Sequence, residues 1–251
     1  MRASTISVCM ATYNGAAYVE EQLVSILEQL GPHDEVVVVD DASKDATADV
    51  VAGIGDPRVR LERASVNRGY VRAFEATLRL AKGRYVFLSD QDDVWLPGRV
   101  DAMRKALEEN AVVATNLTTL GGDDAIVGPF GQPDWRLHAA DSGRPCRNVL
   151  GILAGNRPYY GCAMAVRRDA LDLALPFPAF LDESHDLWLA LVGNLSRSMR
   201  HLEVRSIARR LHSENQTPNR PRGPLTVLRS RLMLLRATFV VSRRLMTSRK
   251  A

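Results

Sequence analysis

Short apolar runs at residues 6–10, 36–39, 59–61, 85–88 and 112–114 alternate with segments whose apolar residues recur every three or four positions. Runs this short and this continuous read as strands buried on both faces, and regular alternation with helices calls for parallel crossover connections. Between the first two runs, Tyr18, Gln22, Leu23, Ile26, Leu27 and Leu30 keep helical spacing until Gly31-Pro32, a stop signal. A second helix follows Ser43, with Ser43 and Asp45 offering caps ahead of Val50, Val51 and Ile54. A third spans about 70–80 and ends at Lys82-Gly83, and residues 159–166 read as one more strand. The expected fold is α/β, a mainly parallel central sheet with helices on both faces. From 117 to about 145 the periodicity is lost and Gly, Asp and Pro accumulate, which predicts a loop-rich region facing a ligand or partner.

With 251 residues, 46% of them hydrophobic and 25% charged, the chain can bury one sizeable core. No apolar run approaches the roughly 20 residues that span a bilayer, and the N-terminus leads straight into a strand, so a cytoplasmic protein is expected. Cys9, Cys146 and Cys162 are odd in number and lack metal-ligand spacing; they read as reduced and structural. The net charge of +4 is unevenly spread. Residues 216–251 contain no acid but carry Arg220, Arg222, Arg229, Arg231, Arg236, Arg243, Arg244, Arg249 and Lys250.

The run at 85–88 stops abruptly at Ser89-Asp-Gln-Asp-Asp-Val-Trp95, which sets three carboxylates beyond a strand end. In open α/β sheets ligands gather beyond the carboxyl ends of the strands, so Asp90 and Asp92 stand at the mouth of such a site. Two carboxylates two residues apart can converge on one hard divalent ion, Mg²⁺ or Mn²⁺, whose other ligands come from diphosphate oxygens and water. The alternative is a solvated acidic loop, with Asp93 near the N-terminus of a segment opened by Pro97. The first strand ends in Ala11-Thr-Tyr-Asn-Gly15 and the second in Val39-Asp-Asp-Ala-Ser43, which brings more polar groups to that edge. A ring from Tyr13 and a carboxylate from Asp41 suit a uracil or thymine base, one by stacking and the other as acceptor for the ring imide N–H. Taken singly, Asp40 and Asp41 also fit a helix-capping turn, and Tyr13 a half-buried strand end.

Together these segments resemble the family 2 glycosyltransferases of the GT-A fold. Ala11-Thr-Tyr-Asn-Gly15 is similar to that family's opening motif, Val39-Asp-Asp-Ala-Ser-Lys-Asp-Ala-Thr47 to its second, Asn67-Arg-Gly69 to its third, and Ser89-Asp-Gln-Asp-Asp-Val-Trp95 to its Asp-x-Asp motif. The wording Asp-Gln-Asp-Asp-Val-Trp, with His185-Asp-Leu-Trp-Leu-Ala-Leu191, looks like the rhamnosyltransferase-like branch. The resemblance implies that Thr12, Tyr13, Asn14, Asp41, Asn67 and Asp90 line the nucleotide-sugar site, with Asp41 and Tyr13 on the pyrimidine. It implies that Asp92 ligates the metal, with Asp90 near the ribose or the metal. The catalytic base falls on a later loop running into a helix, here Phe180-Leu-Asp-Glu-Ser-His-Asp-Leu-Trp188. Asp186 is assigned that role; His185 stands where the family usually carries an acid, so Asp182 and Glu183 remain alternatives, and Asp186 is also a plausible first-turn acid of a helix at 187–192. His212 and Asn215, in Arg209-Arg-Leu-His-Ser-Glu-Asn215, resemble a pair that completes the metal shell; a solvated histidine is the competing reading. Arg209 or Arg210 suits a diphosphate.

The implied activity is inverting, metal-dependent transfer of a sugar, rhamnose from a dTDP donor first, with UDP donors alongside, to a saccharide or lipid-linked saccharide acceptor of a surface polysaccharide. Residues 1–116 form the nucleotide-sugar half, 117–215 the acceptor and catalytic half of the same domain, and 216–251 a basic C-terminal helix. In that helix Leu225, Leu228, Leu232, Leu235, Phe239 and Met246 recur at three- and four-residue spacing. The stripe suits domain packing, a homodimer seam, or peripheral contact with an anionic membrane at its inner face. A different function, a nucleotide-fold module binding nucleic acid through the basic tail, meets two objections: no nucleic-acid motif is present, and acids at three strand ends repel a polyanion. A dinucleotide-dependent oxidoreductase is disfavoured because no Gly-x-Gly-x-x-Gly turn follows Met10.

Overall fold

The structure is a computed structural model that describes residues 5–122, 126–211 and 223–248. The order of elements is β1 (Ile6–Thr12), α1 (Val19–Leu27), β2 (Glu35–Asp40), α2 (Thr47–Gly53), β3 (Val59–Arg63), α3 (Tyr70–Leu80), β4 (Tyr85–Ser89) and β5 (Val94–Trp95). It continues through α4 (Arg99–Glu109), β6 (Val112–Thr119), α5 (Pro145–Ala154), β7 (Met164–Arg167), α6 (Arg168–Ala174), α7 (His185–Leu195), β8 (Met199–Arg209) and α8 (Pro224–Ser248). The strands form one eight-stranded sheet in the order β3-β2-β1-β4-β7-β6-β8-β5. β1 pairs in parallel with β2 and β4, β2 with β3, and β6 with β8. β7 runs antiparallel between β4 and β6, and β5 antiparallel to β8. The ends of β1, β2, β4, β6 and β8 therefore share one edge with the entry to β7.

Strand burial follows the pleat. On β1, Ile6, Val8 and Met10 face one core with α1 and α4, while Cys9 faces another with α3, α5, α6, α7 and α8. On β4, Tyr85 and Phe87 join the first core and Val86 and Leu88 the second. Each fully buried apolar side chain of this size contributes about 1.5–3 kcal/mol, which is why continuous apolar runs mark central strands.

Three expectations change in detail. The strand expected at 159–166 is confined to β7, because Gly161–Ala163 form a 3₁₀ turn ahead of it. The aperiodic region starts after Thr119 rather than at 117, since β6 runs on and residue 116 lies inside it; both halves of the domain share one sheet. The stripe expected to make α8 cohere with something is not the one that packs on this domain. Met233, Leu234, Ala237 and Val241 are buried against the second core, whereas Leu225, Leu228, Leu232, Leu235, Phe239 and Met246 are 51–81% exposed. No described helix is long and apolar enough to cross a membrane.

Candidate active site

A cleft of about 600 Å³ opens on the shared sheet edge, reached by Tyr13, Asp41, Asp90, Asp92, Asp93, Gly161, Cys162, His185, Asp186 and Arg209. Its floor is tied together by side chains that join one strand end to the next. Tyr13 donates its N–H to Gln91 Oε1 at 2.9 Å and accepts from Gln91 Nε2 at 3.0 Å, which fastens the end of β1 to the turn after β4. Asn14 accepts the Lys44 N–H at 2.8 Å while its own N–H reaches Ser43 Oγ at 2.9 Å, fastening β1 to the turn after β2. Gly15 N donates to Thr47 Oγ1 at 2.7 Å. From beneath, the buried Gln22 of α1 donates to Ser89 Oγ at 2.7 Å and to the Asp90 carbonyl at 3.0 Å.

Sequence candidates therefore divide by what their side chains do. The Thr12 hydroxyl donates to Asp40 at 3.0 Å, and Asp40 also accepts the Ser43 N–H at 2.9 Å, so this pair builds the turn. Asp41 accepts the Arg68 and Gly69 N–H groups at 2.9 and 2.8 Å, and Asn67 accepts the Gly69 N–H at 3.1 Å. Gly69 sits at φ +84°, where only glycine is at ease, so the Asn67-Arg-Gly69 turn presents its N–H groups to Asp41. Asp41 still borders the cleft, each oxygen keeping acceptor capacity. Tyr13 remains 40% exposed, its ring open to a stacking partner.

The acids behave as a coupled cluster. Oxygen atoms of Asp90 and Asp93 and the Cys162 sulfur come within 4.8 Å of one another, whereas Asp92, the expected metal ligand, borders the cleft outside that trio. Burial, followed by the charges of Asp93 and Asp92, pushes the Asp90 carboxyl well above the ordinary carboxylate range, with Arg209 pulling the other way. Asp93 is pushed up to about 6, by burial first and the Asp92 charge second. Burial and the two acids hold the Cys162 thiol well above its ordinary range, so it stays protonated. A hard divalent cation fits this donor set: like charges converge in a low-dielectric edge, oxygen ligands predominate, and a protonated thiol is a poor competitor. Asp93, one of the three carboxylates beyond the strand end but given no ligand role from the sequence, belongs to this cluster; it is 3% exposed and accepts the Arg210 N–H at 3.2 Å. Cys162, read as merely structural, belongs to the same cluster.

Arg209 lines the cleft and Arg210 turns outward to Glu21 and to the Asp92 carbonyl at 3.2 Å. Beneath the cluster lies Arg99, 1% exposed, donating to Ser206 Oγ and the Cys162 carbonyl, both at 2.6 Å, with its guanidinium 4.5 Å from the Trp95 ring centroid. Burial pulls it down to about 10, still charged at neutral pH. An arginine in an amphipathic α4 of balanced charge gives no sequence signal of this role. His212 and Asn215 lie outside the described residues.

Asp186 enters the cleft on the first turn of α7, near enough that its charge adds to the pressure on Asp90. It also accepts the Leu187 N–H at 2.7 Å, as a first-turn acid of α7 does. Asp182 pairs with Arg229 at 2.8 Å and Glu183 accepts from Ser230, both on α8. His185 beside it stacks on Phe74 with ring centroids 4.2 Å apart. A Cβ at Gly161 would lie 2.8 Å from His185 Nε2, so that turn admits the ring only with glycine there.

The family model described as "Glycosyl transferase family 2" matches residues 7–172. The succinoglycan biosynthesis protein ExoO of Rhizobium meliloti is 43% identical over 98 residues, 39% of this chain and 28% of that protein. The putative teichuronic acid biosynthesis glycosyltransferase TuaG of Bacillus subtilis is 36% identical over 105 residues, 41% of this chain and 40% of that one. The chain thus spans well under half the length of these two relatives. The UDP-Glc:alpha-D-GlcNAc-diphosphoundecaprenol beta-1,3-glucosyltransferase WfgD of Escherichia coli is 25% identical over 193 residues, 74% of this chain and 69% of that one. Among solved structures, S. aureus TarS in complex with UDP-GlcNAc gives a TM-score of 0.69 at 19% identity, covering 96% of this chain and 71% of that chain. TarS in complex with UDP gives 0.64 at 21%, over 82% and 60%. The likeness to TarS is one of fold.

Proposed function

The chain belongs to glycosyl transferase family 2, and on that premise we propose that it is an inverting, metal-dependent glycosyltransferase of surface polysaccharide synthesis. It moves a sugar from a pyrimidine nucleotide diphosphate to a saccharide or lipid-linked saccharide acceptor, at the cytoplasmic face of the membrane. The observation that carries this reading is one cleft holding Asp90, Asp92 and Asp93 together with Asp186 of α7. Asp186 takes the proton of the acceptor hydroxyl, for which hydrogen-bond reach of about 3 Å is the geometric condition. The hydroxyl oxygen attacks the anomeric carbon as the bond to the diphosphate breaks, so configuration inverts. Mg²⁺ or Mn²⁺ held by Asp90, with Asp93 of the same cluster and Asp92 of the Asp-x-Asp motif beside it, would supply Lewis-acid stabilisation of the charge gathering on the leaving diphosphate. Arg209 adds fixed positive charge in the same cleft, and Tyr13 and Asp41 receive the pyrimidine.

For the donor, the wording of residues 90–95 supports rhamnose from dTDP. The relatives' names support a second reading, a uridine donor: WfgD is named for UDP-Glc, and TarS was crystallised with UDP-GlcNAc. Thermal shift with UDP, dTDP and GDP, each with and without Mn²⁺, followed by turnover of dTDP-rhamnose and UDP-glucose, separates the two. Pyrimidine diphosphates are expected to stabilise the protein only with metal, and Asp92→Asn to lose that dependence. Asp186→Asn is expected to keep the shift while kcat falls about 10²–10⁴-fold. Equal, metal-independent shifts with GDP and UDP would sink the proposal.

A further inference from the structure

α8 is apolar on two opposite sides. Its inner side, with Met233, Leu234, Ala237 and Val241, is buried on the domain. Its outer side carries Leu225, Leu228, Leu232, Leu235, Phe239 and Met246, each more than half exposed. At 100° per residue these six fall within a band about 80° wide, centred opposite the buried stripe. The helix is about 37 Å long at 1.5 Å per residue, so the band is a continuous ridge, far beyond the scattered apolar residues of an ordinary surface.

Charge decides what covers it. α8 has five arginines and no acid. Arg229, Arg236 and Arg243 stand seven residues apart along one border of the ridge, all exposed, while the half-buried Arg231 on the other border reaches back to the Ile152 carbonyl at 3.4 Å. Asp182 offsets Arg229 alone, and the Arg236 guanidinium carbon sits 4.2 Å from the Phe180 ring centroid. A second copy seated antiparallel on the ridge would bring the Arg229, Arg236 and Arg243 border against itself, arginine facing arginine. An anionic lipid surface satisfies both features at once, since Leu and Phe enter the acyl boundary while arginine stems extend to the headgroups.

We propose that the outer face of α8 docks the protein on the surface of a bilayer rich in anionic headgroups, with the helix lying in the interface plane. Through Arg229 and Ser230, α8 also holds Asp182 and Glu183, so docking bears on the loop that leads into α7. The proposal requires nothing of the transfer chemistry.

The test is sedimentation of the full chain with phosphatidylcholine vesicles containing or lacking phosphatidylglycerol, at low and high salt. The parent is expected to sediment with the anionic vesicles, less so at high salt, and to stay in solution with the neutral ones. A Leu232→Glu, Phe239→Glu double variant should bind at least about tenfold more weakly, and Arg243→Glu about tenfold more weakly. All three positions are exposed, so melting temperatures should match the parent and report a folded variant. Equal sedimentation of parent and double variant, or none with either vesicle, overturns the proposal. So does a parent that is dimeric in solution and becomes monomeric in the double variant, which would assign the ridge to self-association. No donor or acceptor enters this assay, so its failure leaves the transferase reading intact, and failed turnover leaves this one intact.

Discussion

His185 is 6% exposed and neither ring nitrogen has a hydrogen-bond partner within the protein, although the ring borders the cleft. Burial pulls its pKa down to about 3, which holds the imidazole neutral at ordinary pH. For a base depressed on folding, the unfolded chain takes up the proton first as pH falls below about 6.5, and stability is lost between that pH and about 3, at up to about 1.4 kcal/mol per pH unit. Asp90 and Asp93, raised on folding, act in the opposite sense over part of that range, so the informative quantity is a difference between proteins. His185→Phe, which keeps a ring against Phe74, is expected to gain on the wild type as pH is lowered from 6.5 to 4 in melting experiments; parallel curves would show that the histidine is not buried neutral. Tyr13 bears a different load. Its exposed ring is expected to contribute about 0.5–1.5 kcal/mol by stacking, so Tyr13→Ala should weaken pyrimidine nucleotide binding about two- to tenfold by calorimetry while Tyr13→Phe leaves it unchanged.

α3 organises the approach to Asp186. Arg72 donates to the Pro178 carbonyl at 2.8 Å and to those of Ala179 and Leu181 at 3.2 and 3.3 Å, and is itself held by Glu75 at 2.7 Å. The Ser184 N–H donates to the Tyr70 hydroxyl at 3.1 Å. The helix that starts after Asn67-Arg-Gly69 therefore fixes the loop running into α7. Arg72→Ala is expected to cost about 2–3 kcal/mol of stability, from lost charged hydrogen bonds. It should lower kcat far more than it alters nucleotide affinity, and a change confined to donor KM would contradict this. The contacts to residues 178–184 were not legible in the sequence, since they join residues more than a hundred positions apart. The parallel strands were legible, because burial on both faces leaves apolar runs, as in Val36 to Val39 and Val86 to Leu88. The lining of the cleft was legible where it is local, at Asp90, Asp92 and Asp186. It was illegible where folding decides which way a side chain turns: Thr12 toward Asp40, Asp93 into the cluster, Arg99 beneath it.

At the scale of the whole molecule, α8 is a wall of the domain rather than an appended tail. One apolar core runs from Val86 and Val112 of the sheet through Trp188 and Leu191 of α7 to Leu234, Ala237 and Val241 of α8. The sequence favoured the other stripe because its three-four repeat is longer and more regular, and a helix apolar on two sides does not say which side faces home. Substitution at adjacent positions reads the answer directly. Leu234 is 1% exposed, and Leu234→Ala is expected to cost about 2–5 kcal/mol, the loss of buried methyl groups plus the cavity they leave. Leu232 is 58% exposed, and Leu232→Ala should change stability by no more than about 0.5 kcal/mol in the same denaturation experiment. Removing residues 224–251 altogether should uncover Trp188 and its neighbours and destabilise the whole fold, so the helix's two faces can be separated only one side chain at a time. Equal losses at 232 and 234 would mean that both faces are covered in solution, and the outer ridge would then have a protein partner.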